Sequence, residues 1–210
     1  MVRERKNTDV RREEILDAAL EVFSAYGFHG TSIKLLAREA GMTEGLLYHY
    51  FDGKQDLFKE VIKRFLAQRD SLIGTMVSAL PTSEPSDLLT GLARGMLAFA
   101  RHSDAGKFLR MVLRESPNLP DIDGKPIPLL IAGGIEAMTD IFAALQANRV
   151  FAAGHEPAFL ARQFVGTLIT QFIVQDVIGV EEFLPLDHDR FITQTTKIFL
   201  AGAAPKKGKT

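Results

Sequence analysis

Residues 31–51, Thr-Ser-Ile-Lys-Leu-Leu-Ala-Arg-Glu-Ala-Gly-Met-Thr-Glu-Gly-Leu-Leu-Tyr-His-Tyr-Phe, constrain the fold more than any other stretch of this 210-residue chain. They read as a short helix, a tight turn and a second short helix. Thr31 or Ser32 can cap the first helix, because a side-chain oxygen there satisfies one of the N–H groups that a helix start leaves unpaired. Leu36 and Ala37 face inward, and Ala37 is small enough to let two helices approach closely. Gly41 suits the left-handed conformation in which helices commonly end, a region that costs more for a residue with a Cβ. Thr43 can cap the second helix. Leu47 and Phe51, four apart, hold that helix against the first, leaving Glu44, Gly45, Leu46, Tyr48 and His49 toward the outside. The pattern is that of a helix-turn-helix.

The rest of the chain is also helical in rhythm. Ile15, Ala19, Val22, Phe23 and Tyr26 fall on one face of a helix that Asp9 can cap and Gly27 stops. Asp52 with Gln55 three residues on resembles a capping box. After it, Leu57, Phe58, Val61, Ile62, Phe65 and Leu66 recur at helical spacing toward Leu80. Pro81-Thr-Ser-Glu-Pro85 reads as a loop, and residues 117–128, with four prolines and a glycine, read as a break. Further helices are predicted over 86–102, 104–116, 129–150, 157–179 and 188–201. Lys206, Lys207 and Lys209 make a short polar tail. No segment alternates as a strand does, so the fold class is all-α.

Composition narrows the function. There are 25 Lys plus Arg against 26 Asp plus Glu, which excludes a strongly basic nucleic-acid coat protein. Residues 1–64 alone hold 11 of each sign, so any DNA affinity must come from the sidedness of charge rather than its sum. With no Cys, disulfides, thiolate catalysis and cysteine-ligated zinc are excluded. The longest uncharged runs, 71–83 and 163–175, are 13 residues, and a spanning helix needs roughly 20 apolar ones. The first 20 residues show no apolar core of a signal peptide. No membrane segment and a cytoplasmic location are therefore expected.

The 31–51 segment and the preceding Ile-Leu-Asp-Ala-Ala-Leu-Glu-Val-Phe-Ser-Ala-Tyr-Gly-Phe run together closely resemble the TetR family of bacterial transcriptional regulators. The resemblance is strong over about residues 10–65 and continues beyond only in rhythm and length. It implies a three-helix helix-turn-helix DNA-binding domain joined to a larger helical ligand-binding and dimerisation domain. In this sequence these are residues 1–53, a connecting helix over 54–80 shared by both lobes, a C-terminal domain over 81–203 and a tail over 204–210. It also implies a homodimer that sets each second helix in successive major grooves of a palindromic operator in double-stranded DNA. By the family pattern Tyr48 and Lys54 meet phosphates, as do Thr31 and Ser32 at a helix start. Lys34, Glu44, Gly45, Leu46 and His49 lie closest to base edges, with Thr43 and Tyr50 in the same set. Two departures stand out: Leu46 occupies a position where Thr or Ser is usual, and Glu44 is acidic beside DNA. Arg3, Arg5, Lys6, Arg11 and Arg12 form a basic arm that either follows a groove or stays solvated. Glu13, Glu14, Asp17 and Glu21 are then expected to be held away from the DNA.

In the C-terminal half, residues 157–179 are apolar on more than one face, and a helix of that kind needs burial on two sides. A second copy supplies the other side most simply. The dimer interface is therefore assigned to Phe159, Arg162, Val165, Ile169, Phe172 and Ile173, with Phe191, Thr195 and Ile198 from the last helix; the alternative is a central helix of a monomeric bundle. The resemblance further implies a small-molecule effector whose binding releases DNA. Met76, Met96, Phe99, Phe108, Met111, Met138, Phe142 and Phe172 are candidates to line an apolar cavity, although such residues also serve as plain core. His102, Arg114 and Gln175 are candidates to orient a ligand.

No catalytic constellation emerges, and no cofactor or metal is expected. Gly208-Lys209-Thr210 imitates the end of a phosphate-binding loop, but Ala203 stands where that motif needs Gly. Asp187-His188-Asp189 reads as a helix cap rather than a metal site. The rival from another class is a helical small-molecule sensor or adaptor that acts without touching DNA; the 31–54 segment discriminates the two.

Overall fold

A computed structural model describes residues 2–79, 84–102, 104–115, 118–152 and 154–203, less the side chains of residues 2–7, Ala79, His102 and residues 129–131. Leu80, the loop residues Pro81, Thr82 and Ser83, Pro117 and the tail lysines Lys206, Lys207 and Lys209 lie outside the described residues. Nine α-helices are described: α1 (Val2–Tyr26), α2 (Ile33–Glu39), α3 (Glu44–Tyr50), α4 (Lys54–Ala79), α5 (Pro85–His102), α6 (Asp104–Glu115), α7 (Ile127–Ala147), α8 (Pro157–Phe172) and α9 (His188–Ala203). A π-helical turn, Ile173–Val177, prolongs α8, and a 3-10 turn, Val180–Glu182, follows it. The only extended pairing described is a single bridge between Ile122 and Lys125.

Two compact units result. The first takes Met1–Gln68 together with Asp104–Leu130; the second takes Arg69–Ser103 together with Ile131–Thr210. Helix α4 contributes residues 54–68 to the first and 69–79 to the second. The first unit thus takes in a stretch, 104–130, that the sequence reading assigned to the C-terminal domain.

The first unit's core is built from the predicted faces. Ile15, Ala19, Val22 and Phe23 of α1 meet Leu36 and Ala37 of α2, Leu47 of α3, and Leu57, Phe58, Val61, Ile62 and Phe65 of α4, all buried. Tyr26, predicted on that face, is 57% exposed because α1 ends there. Phe23, Phe28 and Phe58 form an aromatic cluster, with Phe58 4.8–5.0 Å from the other two rings. Phe65 and Phe108 stack at 4.5 Å, bringing α6 onto α4. Polar pairs fasten α6 further: Arg64 reaches Asp17 at 2.6 Å and Asp104 at 3.3 Å, and Lys107 pairs with Glu21. These contacts explain why residues 104–130 join this unit.

In the second unit, Phe142, Phe151, Phe164 and Phe199 pack ring against ring at 5.2–5.9 Å. Helix α8 buries Leu160, Ala161, Phe164, Val165, Leu168 and Phe172 and exposes Phe159 and Ile169. By length and composition Pro157–Val177 is long and apolar enough to cross a membrane, the one such helix among the described residues. Arg162 and Asp176 interrupt it, so its longest uncharged run is only 163–175. One face of that helix lies in its unit's own core, and Asp176 pairs with Arg101 at 2.8 Å.

Two capping assignments change. Helix α1 runs from Val2, so Asp9 lies inside it rather than capping it. Helix α4 begins at Lys54, and the carboxylate that reaches back is Asp56, accepting from Asp52 N–H at 3.1 Å, not Gln55. At α9 the reading of 187–189 as a cap agrees with Asp187 Oδ1, which accepts from Arg190 N–H at 3.0 Å.

Candidate nucleic-acid interface

Local chemistry builds the α2–α3 pair. Ser32 caps α2, its hydroxyl accepting from Leu35 N–H at 3.2 Å. Thr43 caps α3, accepting from Leu46 N–H at 3.3 Å. Between them Gly41 adopts φ +64°, the left-handed conformation the turn demands. Leu47 and Phe51 are buried and anchor α3 from behind.

That anchoring decides which side chains face outward. Glu44, Gly45, Leu46, Tyr48 and His49 are all exposed, Leu46 by 43% and Tyr48 by 54%. An exposed leucine and an exposed tyrosine on one seven-residue helix form an apolar and aromatic surface left open by the described residues. Tyr50 is half-buried. On α2, Lys34 and Arg38 are exposed, one helical turn apart, and make no side-chain hydrogen bond or ion pair among the described residues. Arg38 was missing from the sequence-derived set; its spacing of four from Lys34 was the available signal. A concavity of about 700 Å³ runs between the two helices, bordered by Ser32, Lys34, Arg38, Met42, Thr43 and Glu44.

Three other cations are committed inward. Arg11, instead of forming an arm, donates to Ala40 O at 3.2 Å, and Arg12 donates to Tyr50 O at 3.2 Å. Each therefore sits at the C-terminal end of a short helix, where the helix dipole favours a cation. Arg12 also pairs with Glu60 at 3.0 Å and lies 4.4 Å from the Phe51 ring centroid. Lys54, expected at a phosphate, donates to Phe28 O at 2.9 Å and Thr31 O at 3.0 Å, its ammonium 4.4 Å from the Phe28 ring centroid. Two of its three donors are thereby occupied. Thr31, also expected at a phosphate, is 4% exposed and donates to Gly27 O at 2.6 Å, which closes the turn before α2. Of the two residues at that helix start, Ser32 is the exposed one.

Four acids of α1 are paired with cations. Glu13 and Asp17 face Arg64, Glu14 faces Arg11 and Glu21 faces Lys107. Lys63 and then Arg12 hydrogen-bond Glu60 and hold its carboxyl below the ordinary range. Glu21 in turn raises the Lys107 ammonium. The surface of α2 and α3 thus keeps two exposed cations, Lys34 and Arg38, beside the exposed acids Glu39 and Glu44, so that attraction for a polyanion rests on where the cations point rather than on net charge.

The C-terminal candidates divide between the units. Phe108, Met111 and Arg114 belong to α6 in the first: Phe108 and Met111 are buried there, and Arg114 donates to Ser24 O at 3.1 Å. In the second unit Met76, Met138, Phe142, Phe172 and Gln175 are buried, while Met96 and Phe99 are half-buried. His102 ends α5, and its side chain is outside the described set. Met76 rests over Gly95, where a Cβ would stand 2.9 Å from its methyl group. Of the dimer candidates, Phe159, Arg162, Ile169 and Ile198 are exposed and Ile173, Phe191 and Thr195 half-buried. Val165 and Phe172 are buried in their own core, whereas Ile169, a helical turn from each, lies at the edge of that buried face and is exposed.

A family model described as bacterial regulatory proteins, tetR family, matches residues 15–61, the span from the core of α1 through α3 into α4. Over this span the chain is similar to the TetR family. Among curated relatives, the HTH-type transcriptional regulator BetI of Vibrio atlanticus (strain LGP32) is 31% identical over 87 residues, covering 41% of this chain and 44% of that one. The HTH-type transcriptional repressor KstR2 of Mycolicibacterium smegmatis is 34% identical over 96 residues, 45% of each chain. The chain thus matches less than half the length of these relatives. A solved structure of the regulator FadR from Bacillus subtilis in complex with stearoyl-CoA shares the fold, with a TM-score of 0.65 at 17% identity, over 90% of this chain and 98% of that one.

Proposed function

We propose that this chain is a sequence-specific DNA-binding transcriptional regulator of the TetR family, a repressor whose operator binding is relieved by a small apolar ligand. The observation that carries the reading is the exposed face of α3, with Leu46, Tyr48 and His49 outward next to the unpaired Lys34 and Arg38 of α2. Tyr48, Ser32, Lys34 and Arg38 contact phosphates, with Lys54 adding at most its third N–H. Glu44, Gly45, Leu46 and His49 approach base edges, with Leu46 suited to a thymine methyl and Glu44 to a cytosine amino group. Thr43 and Tyr50 frame the helix ends.

The assembly is a homodimer through α8 and α9. Phe159 and Ile169 are exposed on α8, and Ile198 on α9 is 69% exposed. Val177, Ile178, Phe183 and Leu184 extend the exposed apolar surface along the chain. Apolar area of this extent on a charged, balanced protein is what a partner of the same kind would cover. A two-fold axis then places two weak footprints on successive grooves and doubles the charge engaged.

The effector site is proposed for the second unit, lined by Met76, Met96, Phe99, Met138, Phe142 and Phe172 with Gln175 as a polar group. Gln175 Oε1 is buried without a partner among the described residues, a lone acceptor available to orient a ligand. The ligand-bearing FadR neighbour supports only the general idea of an apolar effector. Such a regulator acts in the bacterial cytoplasm.

A gel shift against the DNA upstream of the protein's own gene, run at two salt concentrations, tests the DNA-binding claim. Specific binding that weakens steeply with salt is expected, since phosphate contacts release counterions. No shift on any genomic fragment would instead favour an adaptor that acts without DNA.

A further inference from the structure

Phe28 sits in the turn between α1 and α2, and its peptide groups are held from two sides. Its carbonyl accepts from Lys54 on α4 at 2.9 Å; its N–H donates to Glu115 Oε2 on α6, also at 2.9 Å. The ring is 5% exposed and wedged against Phe23 and Phe58. The preceding residue, Gly27, has φ +73°, and a Cβ there would collide with the Glu115 carboxylate. Gly27 is thus required by its backbone conformation, and a side chain there would displace the Glu115 carboxylate from Phe28 N–H. Its carbonyl then accepts from the buried Thr31 hydroxyl, so the 27–31 turn determines where Ser32 starts α2.

Glu115 is the last residue of α6, and its side chain is only 17% exposed. Two flanking contacts point the same way. Arg114 donates to Ser24 O at 3.1 Å, near the end of α1, and His29 Nε2 lies 2.7 Å from Asn118 O. A carbonyl oxygen only accepts, so His29 carries its proton on Nε2 in this contact. The end of α6 and the residues just after it therefore grip the chain on both sides of Phe28, 87 residues away in sequence. The chain enters this stretch from the second unit at residue 104 and leaves it after residue 130.

We propose that Glu115 is a positioning residue for DNA reading: from the end of α6 it fixes the turn that sets α2, and with α2 the presentation of α3. This rests on the DNA-binding function proposed above. Removing the acceptor leaves a half-buried backbone N–H without its charged partner and frees the turn to sample other geometries. Phosphate contacts tolerate such looseness, because they carry no sequence information, whereas base contacts do not. The loss should therefore fall on selectivity.

The test compares wild type, Glu115→Ala and Glu115→Gln on two duplexes of equal length, one from upstream of the protein's own gene and one of random sequence. Amide hydrogen exchange at Phe28 is followed alongside. Glu115→Ala should lower affinity for the upstream duplex about tenfold, the equivalent of one hydrogen bond to a charged group, and leave the random duplex within about twofold. Glu115→Gln keeps an acceptor oxygen and should recover most of the loss, which a general packing defect would not do. Phe28 N–H should be protected in the wild type and in Glu115→Gln. Free exchange of that amide in the wild type would overturn the role without any variant having to fold. Unchanged selectivity in Glu115→Ala, or a Glu115→Gln variant as defective as Glu115→Ala, would overturn it too. A wild-type chain with no preference for any genomic fragment would overturn the DNA-reading proposal and this role together.

Discussion

Replacing Lys54 separates two roles that cannot both dominate. The family resemblance puts this side chain on a phosphate; the structure puts its ammonium on Phe28 O and Thr31 O, over the Phe28 ring. Lys54→Met keeps the apolar stem and removes the charge and donors. A hydrogen bond to a charged group contributes about 1.5–3 kcal/mol when well buried, and half-burial brings each of these two nearer 1. The cation over an aromatic face adds about 0.5–1 kcal/mol. Freeing the side chain returns up to about 1 kcal/mol of rotamer entropy. The net expectation is a loss of about 2 kcal/mol, read as a lower urea midpoint by circular dichroism at unchanged slope. The salt dependence of random-DNA binding should stay the same, because a lysine bound to carbonyls releases no counterion. A stability change under about 0.5 kcal/mol, with the salt slope falling by about 2 for the dimer, would show that Lys54 serves the DNA and that the internal contacts are incidental.

Further outcomes follow from the same geometry. Lys34→Ala combined with Arg38→Ala should weaken binding to specific and random duplexes alike and lower the salt slope by about 4 for the dimer, two contacts from each subunit, in a fluorescence titration; loss on one sequence alone would move these residues from phosphates to bases. The hydrogen bonds from Lys63 and Arg12 hold Glu60 below its ordinary value of 4.5, so their stabilisation is full above that pH and lost as pH falls through the lower folded-state value. Glu60→Gln should accordingly flatten the acid side of the stability–pH curve measured by thermal unfolding, and an unchanged curve would refute the Arg12–Glu60–Lys63 contribution. Ile198→Glu with Ile169→Glu should convert a dimer to a helical monomer by light scattering; a dimer that persists would place the interface elsewhere.

What the sequence disclosed and what it hid divide by chain separation. The caps at Ser32 and Thr43 and the left-handed Gly41 were legible because each is settled within four residues. So was the inward placement of Leu36, Ala37, Leu47 and Phe51, which follows from helical spacing. The roles of Arg12, Lys54 and Glu115 were not legible, since their partners stand 38, 26 and 87 residues away. A basic residue near a DNA-reading helix looks the same in sequence whether it faces a phosphate or a carbonyl. Asp9 misled because Asn7, Thr8 and Asp9 all suit a helix start, yet α1 continues through them to Val2. Periodicity identified α6 but could not show that it packs on α1, as its polar ties run from Lys107 to Glu21 and from Arg114 to Ser24 O, and through Arg64 of α4, which holds both Asp104 and Asp17. For the same reason Phe108, Met111 and Arg114 looked like pocket residues of the second unit. The two faces of α8 were legible as apolar, though not which of Val165 and Ile169 was turned to the core.

The most direct test of the account is a hydroxyl-radical footprint of the wild-type protein on the fragment it selects from upstream of its gene. Two α3 helices related by a two-fold axis should protect two half-sites whose centres lie about 34–36 Å apart, one helical turn, or a whole multiple of it. The protected bases should form an inverted repeat. A single protected patch, half-sites out of phase with the helical repeat, or no protection at concentrations where the chain is dimeric would contradict it.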